Sequence, residues 1–148
     1  MQLSSSVFDS GEKIPTVYTC QGEGINPPLT IEGVPTHTKS LVLIMDDPDA
    51  PDGLFTHWLI YNLSPEIIFI PENTTPDGAE MGVNSGGQIG YYPPCPNSGT
   101  HRYFFRLYAL NQNLNLKPGA TRSEVNVALD GKAIMKAELY GIVSSNLN

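Results

Sequence analysis

Positive charge is scarce in this chain. Eight lysines and arginines stand against fifteen aspartates and glutamates, which gives a formal net charge of -7 at pH 7. No run or stripe of basic residues is available to neutralise a phosphate backbone, and the excess negative charge repels a polyanion. The composition therefore excludes the nucleic-acid-binding class and disfavours an anionic membrane surface.

Long apolar runs are lacking as well, and no cleavable leader is expected. No apolar stretch approaches the length of a membrane span. Residues 1–10 have neither a positive start nor the apolar segment of about 7 to 15 residues that a secretory signal needs. The chain is therefore expected to be cytoplasmic, without integral membrane association.

Cysteine is nearly absent. The two cysteines, Cys20 and Cys95, lie far apart in the sequence and match neither a zinc pattern nor a CxxC pair. The sequence predicts two reduced thiols, with a disulfide as the alternative if the compartment permits one.

Glycine and proline, in contrast, are frequent. Fourteen glycines and thirteen prolines, together with 40% hydrophobic residues, describe a turn-rich globular chain. Many short apolar segments with turn punctuation predict a single mainly β domain over residues 1–148, an antiparallel β-sandwich with Greek-key character and one or two short peripheral helices. One helix is expected at 121–130, because Thr121 and Glu124 form a capping box and Gly131 follows as the C-terminal stop.

Residues 41–63 contain two apolar runs separated by a polar turn. The first run, 41–47, reads as a strand covered on both faces, and its alternation ends in a carboxylate at Asp47, with Asp49 two residues later. In the second run, alternation predicts one shared face for five residues: Phe55, His57, Leu59, Tyr61 and Leu63. Acids and an imidazole at the ends of apolar stripes predict the floor of a pocket.

A third strand is expected after a proline-rich loop. Within 90–110, the prolines around Cys95 make a rigid loop, and the following alternation places five residues on one face: His101, Tyr103, Phe105, Leu107 and Ala109. The segments 41–47, 57–63 and 101–109 are predicted to be neighbouring central strands whose ends converge. The alternative is that the aspartates only cap turns and that each histidine is an ordinary core residue.

Several segments resemble, in order, the bacterial and archaeal branch of the phosphatidylethanolamine-binding protein family, also called Raf kinase inhibitor-like proteins. They are LSSSVFDSGEKIPTVYTCQGEGINPPL, SLVLIMDDPDAP, THW, GYYPPCPNSGTHRYFFRLYAL and PGAT…AEL. The resemblance implies an antiparallel β-sandwich with a small pocket for phosphate-like anions and phosphorylated head groups. By position, it implies these pocket residues: Asp47, Asp49, His57, Tyr92, Pro94, Cys95 and His101.

Two further expectations accompany the resemblance. It favours a cis bond between Ala50 and Pro51, a proline in a tight turn beside the pocket. The chain ends soon after its last predicted strand, so the C-terminal helix that lies near the pocket in eukaryotic members is expected to be absent.

The favoured function is a binding module for small phosphate-like or carboxylate anions, with a regulatory role and without catalysis, cofactor or metal ion. Asp47 and Asp49 are expected to pair with the imidazoles of His57 and His101, which then supply the positive charge for the ligand. No Ser-His-Asp order, phosphate-binding glycine loop, or HxxxH or HxH pair is present. The alternatives are a protein inhibitor of a kinase or protease, with that enzyme as partner, and a metal-dependent hydrolase using the two acids and two histidines. A homodimer also stays open.

Overall fold

The computed structural model describes residues 1–145, which form a mainly β protein. In chain order the elements are β1 (Gln2–Ser4), a 3₁₀ helix (Thr16–Tyr18), β2 (Leu29–Glu32), β3 (Ser40–Asp47) and β4 (Phe55–Leu63). They continue with β5 (Phe69–Ile70), β6 (Glu80–Met81), β7 (Thr100–Leu110), α1 (Arg122–Leu129) and β8 (Ala133–Ser144). The mainly β class expected from the sequence is confirmed.

The strands form two antiparallel sheets. The smaller sheet has the order β1-β2-β5, and the larger one has the order β6-β4-β3-β7-β8. Side chains from both sheets meet in one hydrophobic cluster, which includes Leu3 and Ile31 from the smaller sheet and Leu43 and Phe105 from the larger one. The Greek-key connection stays a prediction.

Strand β3 is the centre of the larger sheet. All eight of its residues are buried, and it pairs with β4 on one side and β7 on the other. Leu43 and Met45 pack into the main cluster, whereas Val42 and Ile44 pack into a second cluster on the opposite face. A short strand covered on both faces is what its continuous apolar run predicts, and the expected neighbourhood of 41–47, 57–63 and 101–109 is confirmed.

Helix α1 closes the second cluster. Thr121 caps its N-terminus and exchanges hydrogen bonds with Glu124 in a capping box. Val125 is fully buried in the second cluster. Gly131 follows with a φ of 73°, a left-handed conformation that glycine adopts without steric cost. The peripheral helix predicted at 121–130 is confirmed.

A β-bulge interrupts the alternation of β4. Met45 lies opposite Trp58, but the next β3 residue, Asp46, lies opposite Thr56, so His57 is the extra residue. A bulged residue breaks the two-residue period of a strand. His57 consequently lies on the side of the main cluster, where its ring centroid is 5.2 Å from that of Tyr103, while Leu59 and Tyr61 pack in the second cluster on the other face. The prediction that His57 shares a face with these two residues was therefore wrong.

The turn between β3 and β4 contains a trans proline. None of the peptide bonds in residues 1–145 is cis. The Gly53 N–H donates to the Ala50 carbonyl over 3.2 Å, which makes Pro51 the second residue of a β-turn. The φ of a trans proline fits that position without strain. The expected cis bond at Ala50-Pro51 was wrong.

Candidate anion-binding site

A cavity of about 440 Å³ opens where β3, β4 and β7 converge. It is lined by the following residues: Asp47, Ala50, Pro51, Asp52, Gly53, Leu54, Phe55, His57, Tyr92, Cys95, Pro96, Asn97, His101 and Tyr103. Asp47, His57, Tyr92, Cys95 and His101 are thus brought together as the sequence predicts. Asp49 and Pro94 lie outside this lining.

His101 is fixed by Asp47. Its Nδ1 lies 2.7 Å from Oδ2 of Asp47, and both residues are buried. A carboxylate accepts hydrogen bonds, so Nδ1–H donates to it and Nε2 is left for the cavity. The other carboxylate oxygen of Asp47, Oδ1, accepts from the backbone N–H of Asp49 over 2.8 Å. This arrangement holds the orientation of the imidazole.

His57 is fixed by the backbone instead of an acid. Its Nδ1 donates to the carbonyl oxygen of Tyr92 over 2.6 Å, and the Tyr92 N–H donates to the carbonyl of His57 over 2.8 Å. Burial lowers the pKa of His57, while the Tyr92 hydrogen bond and the Asp47 charge act in the opposite direction. At neutral pH the ring is therefore neutral, with Nε2 as a hydrogen-bond acceptor.

Asp49 is paired with an arginine, contrary to the expected pairing of both acids with imidazoles. Nε and Nη2 of Arg102 donate to its two carboxylate oxygens, each over 2.9 Å. Hydrogen bonding to Arg102 lowers the pKa of Asp49 to about 2. A guanidinium fork matches both carboxylate oxygens at once, which a single imidazole nitrogen does not. Arg102 follows His101 directly in the sequence, but alternation places it on the opposite face of β7.

Aromatic rings surround His57. Tyr92 was among the predicted pocket residues, whereas Phe55 and Tyr103 were not. The ring centroid of His57 lies 4.7 Å from that of Phe55, 5.9 Å from that of Tyr92 and 5.2 Å from that of Tyr103. Burial, followed by the neighbouring Asp47 charge, raises the pKa of Tyr103. The sequence offered one signal for Tyr103: it lies two residues after His101 and therefore on the same face of β7.

A disulfide joins Cys20 and Cys95, with a Cα–Cα distance of 5.4 Å. The prediction of two reduced thiols was wrong, because a separation of 75 residues gives no local spacing from which to infer the pair. The Cys20 N–H also donates to the carbonyl of Pro94 over 3.1 Å. The bridge thus ties one wall of the cavity to the loop after the 3₁₀ helix. Disulfides are typical of oxidising compartments, so the cytoplasmic location stays a prediction.

Asp46 lies on the opposite face of β3 and is almost fully buried, with 1% exposure. Its Oδ1 lies 2.5 Å from Nη1 of Arg122 and accepts from the Thr56 hydroxyl over 3.0 Å. Its Oδ2 lies 3.7 Å from Nη1 of Arg106. Arginines therefore pair with both Asp46 and Asp49. Asp47 is the acid that binds an imidazole at the cavity, and Asp52 also belongs to the lining.

Replacing Arg122 with methionine is expected to lower the free energy of unfolding by about 3 kcal/mol, because it leaves the buried Asp46 carboxylate with one weaker cation. Denaturant titration measures the change. The matched experiment introduces Arg122→Met into an Asp46→Asn background, where the expected loss is much smaller. Equal losses in both backgrounds would contradict the pairing.

Metal-ligating side chains are not clustered in the part of the chain that the structure describes. Within residues 1–145, no group of three or more His, Cys, Asp or Glu side chains is placed to hold a metal ion. The two acids and two histidines of the hydrolase alternative do not converge on one point, because the Asp49 carboxylate is bound to Arg102.

The chain resembles known proteins of one family along most of its length. A family model described as Phosphatidylethanolamine-binding protein matches residues 4–144. A UPF0098 protein of Methanothermobacter thermautotrophicus is 48% identical over 147 residues, covering 96% of this chain and 97% of that protein. A UPF0098 protein of Chlamydia trachomatis is 47% identical over 146 residues, covering 95% of this chain and 97% of that protein.

Solved structures share the fold. The crystal structure of a phosphatidylethanolamine-binding protein homologue from Chlamydia trachomatis aligns with a TM-score of 0.94 at 45% identity, covering 98% of this chain and 97% of the other. Escherichia coli YbcL, described as a new member of the mammalian family, aligns with a TM-score of 0.89 at 29% identity, covering 97% of each chain. In the part of the chain that the structure describes, no helix is long and apolar enough to cross a membrane.

Proposed function

Because this chain belongs to the phosphatidylethanolamine-binding protein family, we propose that it is a binding module for small phosphate-like anions, including phosphorylated head groups, with a regulatory role. Membership of the family supports ligand binding in general. The anion, its position between His57 and His101, and the absence of catalysis are parts of the proposal.

The observation that carries the proposal is the shared arrangement of the two imidazoles. Each Nδ1 is bound to a protein acceptor, Asp47 for His101 and the Tyr92 carbonyl for His57. Both rings line one cavity, so each Nε2 is left for a ligand there. Nε2 of the neutral His57 accepts a hydrogen bond, and Nε2 of His101 is the second ring atom available to the ligand. A phosphate monoanion carries both acceptor oxygens and a hydroxyl, and it fits this pair of partners.

The size of the cavity favours an anion with an organic part. Its volume of about 440 Å³ lies in the range of pockets that hold small organic ligands. Phe55 and Tyr92 supply apolar surface next to His57. The exposed side chain of Leu54 extends this surface at the lining of the cavity. A phosphate ester with a short organic group can contact both the imidazoles and this apolar surface.

Two observations favour binding over catalysis. Cys95, the cysteine in the cavity lining, is held in a disulfide and offers no thiolate. The Asp49 carboxylate, one of the two acids expected at the site, lies outside the cavity lining and is bound to Arg102. Neither observation supports the alternative of a metal-dependent hydrolase. A kinase or protease as partner stays a prediction.

Phosphate is expected to bind more tightly as the pH falls from about 8 to 6, through the range in which an imidazole takes up a proton. Burial opposes protonation of His57 by lowering its pKa. Protonation of an imidazole in the cavity supplies a donor and offsets the negative charge of Asp47, so affinity rises with falling pH. Still lower pH weakens binding again, as the ligand and the acids become protonated.

The experiment is a titration with inorganic phosphate and with phosphorylethanolamine at constant ionic strength, followed by amide and imidazole NMR shifts at several pH values. Ethanolamine is the control ligand, since it lacks the phosphate. Shifts concentrated on His57 and His101 for both phosphate ligands support the proposal. Shifts scattered over the surface, or equal shifts with ethanolamine, would contradict it.

A further inference from the structure

We propose that Arg102 is a positioning residue of the anion site. Through its bonds to the Asp49 carboxylate, it holds the Asp49 backbone N–H where that group orients Asp47 against His101. The inference rests on the anion-binding function proposed above, and it assigns a role to a side chain that does not line the cavity.

The hydrogen bonds form a closed circuit. Arg102 binds the Asp49 carboxylate with Nε, Nη2 and its backbone N–H, each over 2.9 Å. The Asp49 backbone N–H donates to Oδ1 of Asp47 over 2.8 Å. Oδ2 of Asp47 accepts from Nδ1 of His101 over 2.7 Å. His101 precedes Arg102 in the chain, so the circuit begins and ends on β7.

The geometry of the circuit requires a guanidinium. Two parallel N–H groups fix the plane of a carboxylate, whereas a lysine ammonium is a point charge that leaves the plane free to rotate. Asp49 sits in the turn after β3. Phe104 supports the arginine, since the guanidinium carbon of Arg102 lies 5.4 Å from the centroid of its ring. Arg102 therefore sets the position of Asp49, and Asp49 sets that of Asp47.

Arg106 provides a matched control. It lies on the same face of β7, and its guanidinium carbon lies 4.8 Å from the centroid of the same Phe104 ring. Its partners are Glu138, with Nε to Oε2 at 2.9 Å, and Asp46. Arg106→Met changes the net charge as much as Arg102→Met does, and it leaves the Asp49 circuit intact.

The test compares Arg102→Met, Arg102→Lys and Arg106→Met by two measurements. The first is the exchange rate of the His101 Nδ1 proton in the ligand-free protein, observed by NMR. The second is the dissociation constant for inorganic phosphate at pH 6. Arg102→Met is expected to speed the exchange of the proton and to weaken phosphate binding about tenfold, the loss of one charge-assisted interaction. Arg106→Met is expected to leave both within twofold of wild type.

Arg102→Lys separates geometry from charge. Because lysine keeps the charge and lacks the fork, it is expected to behave like Arg102→Met. Wild-type exchange and affinity in Arg102→Lys would show that charge alone acts, and would overturn the positioning role. Should Arg102→Met fail to fold, Asp49→Ala removes the carboxylate from the same circuit and is expected to give the same two changes.

The two measurements also separate this inference from the proposed function. If wild type binds no phosphate, the proposed function fails, while the Nδ1 proton still reports whether Arg102 orients the Asp47–His101 pair. If wild type binds phosphate and the Arg102→Met and Arg106→Met proteins are indistinguishable by both measurements, the positioning role fails and the proposed function stands.

Discussion

Replacing His101 with alanine is expected to weaken phosphate binding at pH 6 by more than tenfold. The substitution removes the imidazole that donates to the anion, and it leaves the Asp47 carboxylate facing the cavity without its imidazole partner. A hydrogen bond to a charged group contributes about 1.5 to 3 kcal/mol, and each 1.4 kcal/mol is about a factor of ten in affinity. The chain stays folded, because Asp47 keeps the backbone N–H of Asp49 as a partner.

His37 supplies the control for this experiment. It is an exposed histidine in the loop between β2 and β3, with a φ of 73°. His37→Ala removes the same titratable group outside the cavity lining. Phosphate affinity measured by calorimetry is expected to be unchanged in His37→Ala. An affinity within twofold of wild type in His101→Ala would show that the anion binds elsewhere.

Removal of the Cys20–Cys95 disulfide is expected to lower the free energy of unfolding by about 4 kcal/mol. The bridge joins residues separated by 75 positions. A cross-link closing a loop of this size reduces the entropy of the unfolded chain by an amount equivalent to about 4 kcal/mol at room temperature. Both cysteines are exposed, so a reductant can reach the bond. Phosphate binding is also expected to weaken, because Cys95 and Tyr92 belong to the same wall of the cavity.

Urea denaturation with and without reductant measures the effect. The Cys20→Ser/Cys95→Ser protein is expected to match reduced wild type in both conditions. A change below about 1 kcal/mol on reduction would contradict the account, since it lies far under the range typical of a native disulfide. A response to reductant in the double serine protein would show that the reagent acts through something other than this bridge.

The sequence predicted the parts of the site that depend on alternation within a strand and on the family motifs. Asp47 ends the apolar stripe of β3, and His101 begins that of β7, so strand parity alone places the two residues on the same face. The structure confirms their contact at 2.7 Å. The capping box of α1 was equally readable, because it is a local pattern of four residues.

The features that the sequence did not predict depend on contacts between distant segments. The bulge at His57 is a property of the pairing between β3 and β4, and the amino acid itself carries no signal for it. The Cys20–Cys95 bridge requires the loop after the 3₁₀ helix to reach the proline-rich loop. The choice of Arg102 over an imidazole as the partner of Asp49 depends on where the turn after β3 directs the carboxylate.

The central claim is that a phosphate-like anion binds between Nε2 of His57 and Nε2 of His101. The most direct measurement is a crystal structure of the wild-type protein at high resolution, grown at about pH 6 with saturating phosphate. The account predicts tetrahedral density in the cavity within hydrogen-bond distance of both Nε2 atoms. A cavity that holds only water under these conditions, or phosphate bound to other surfaces with both imidazoles unoccupied, would contradict it.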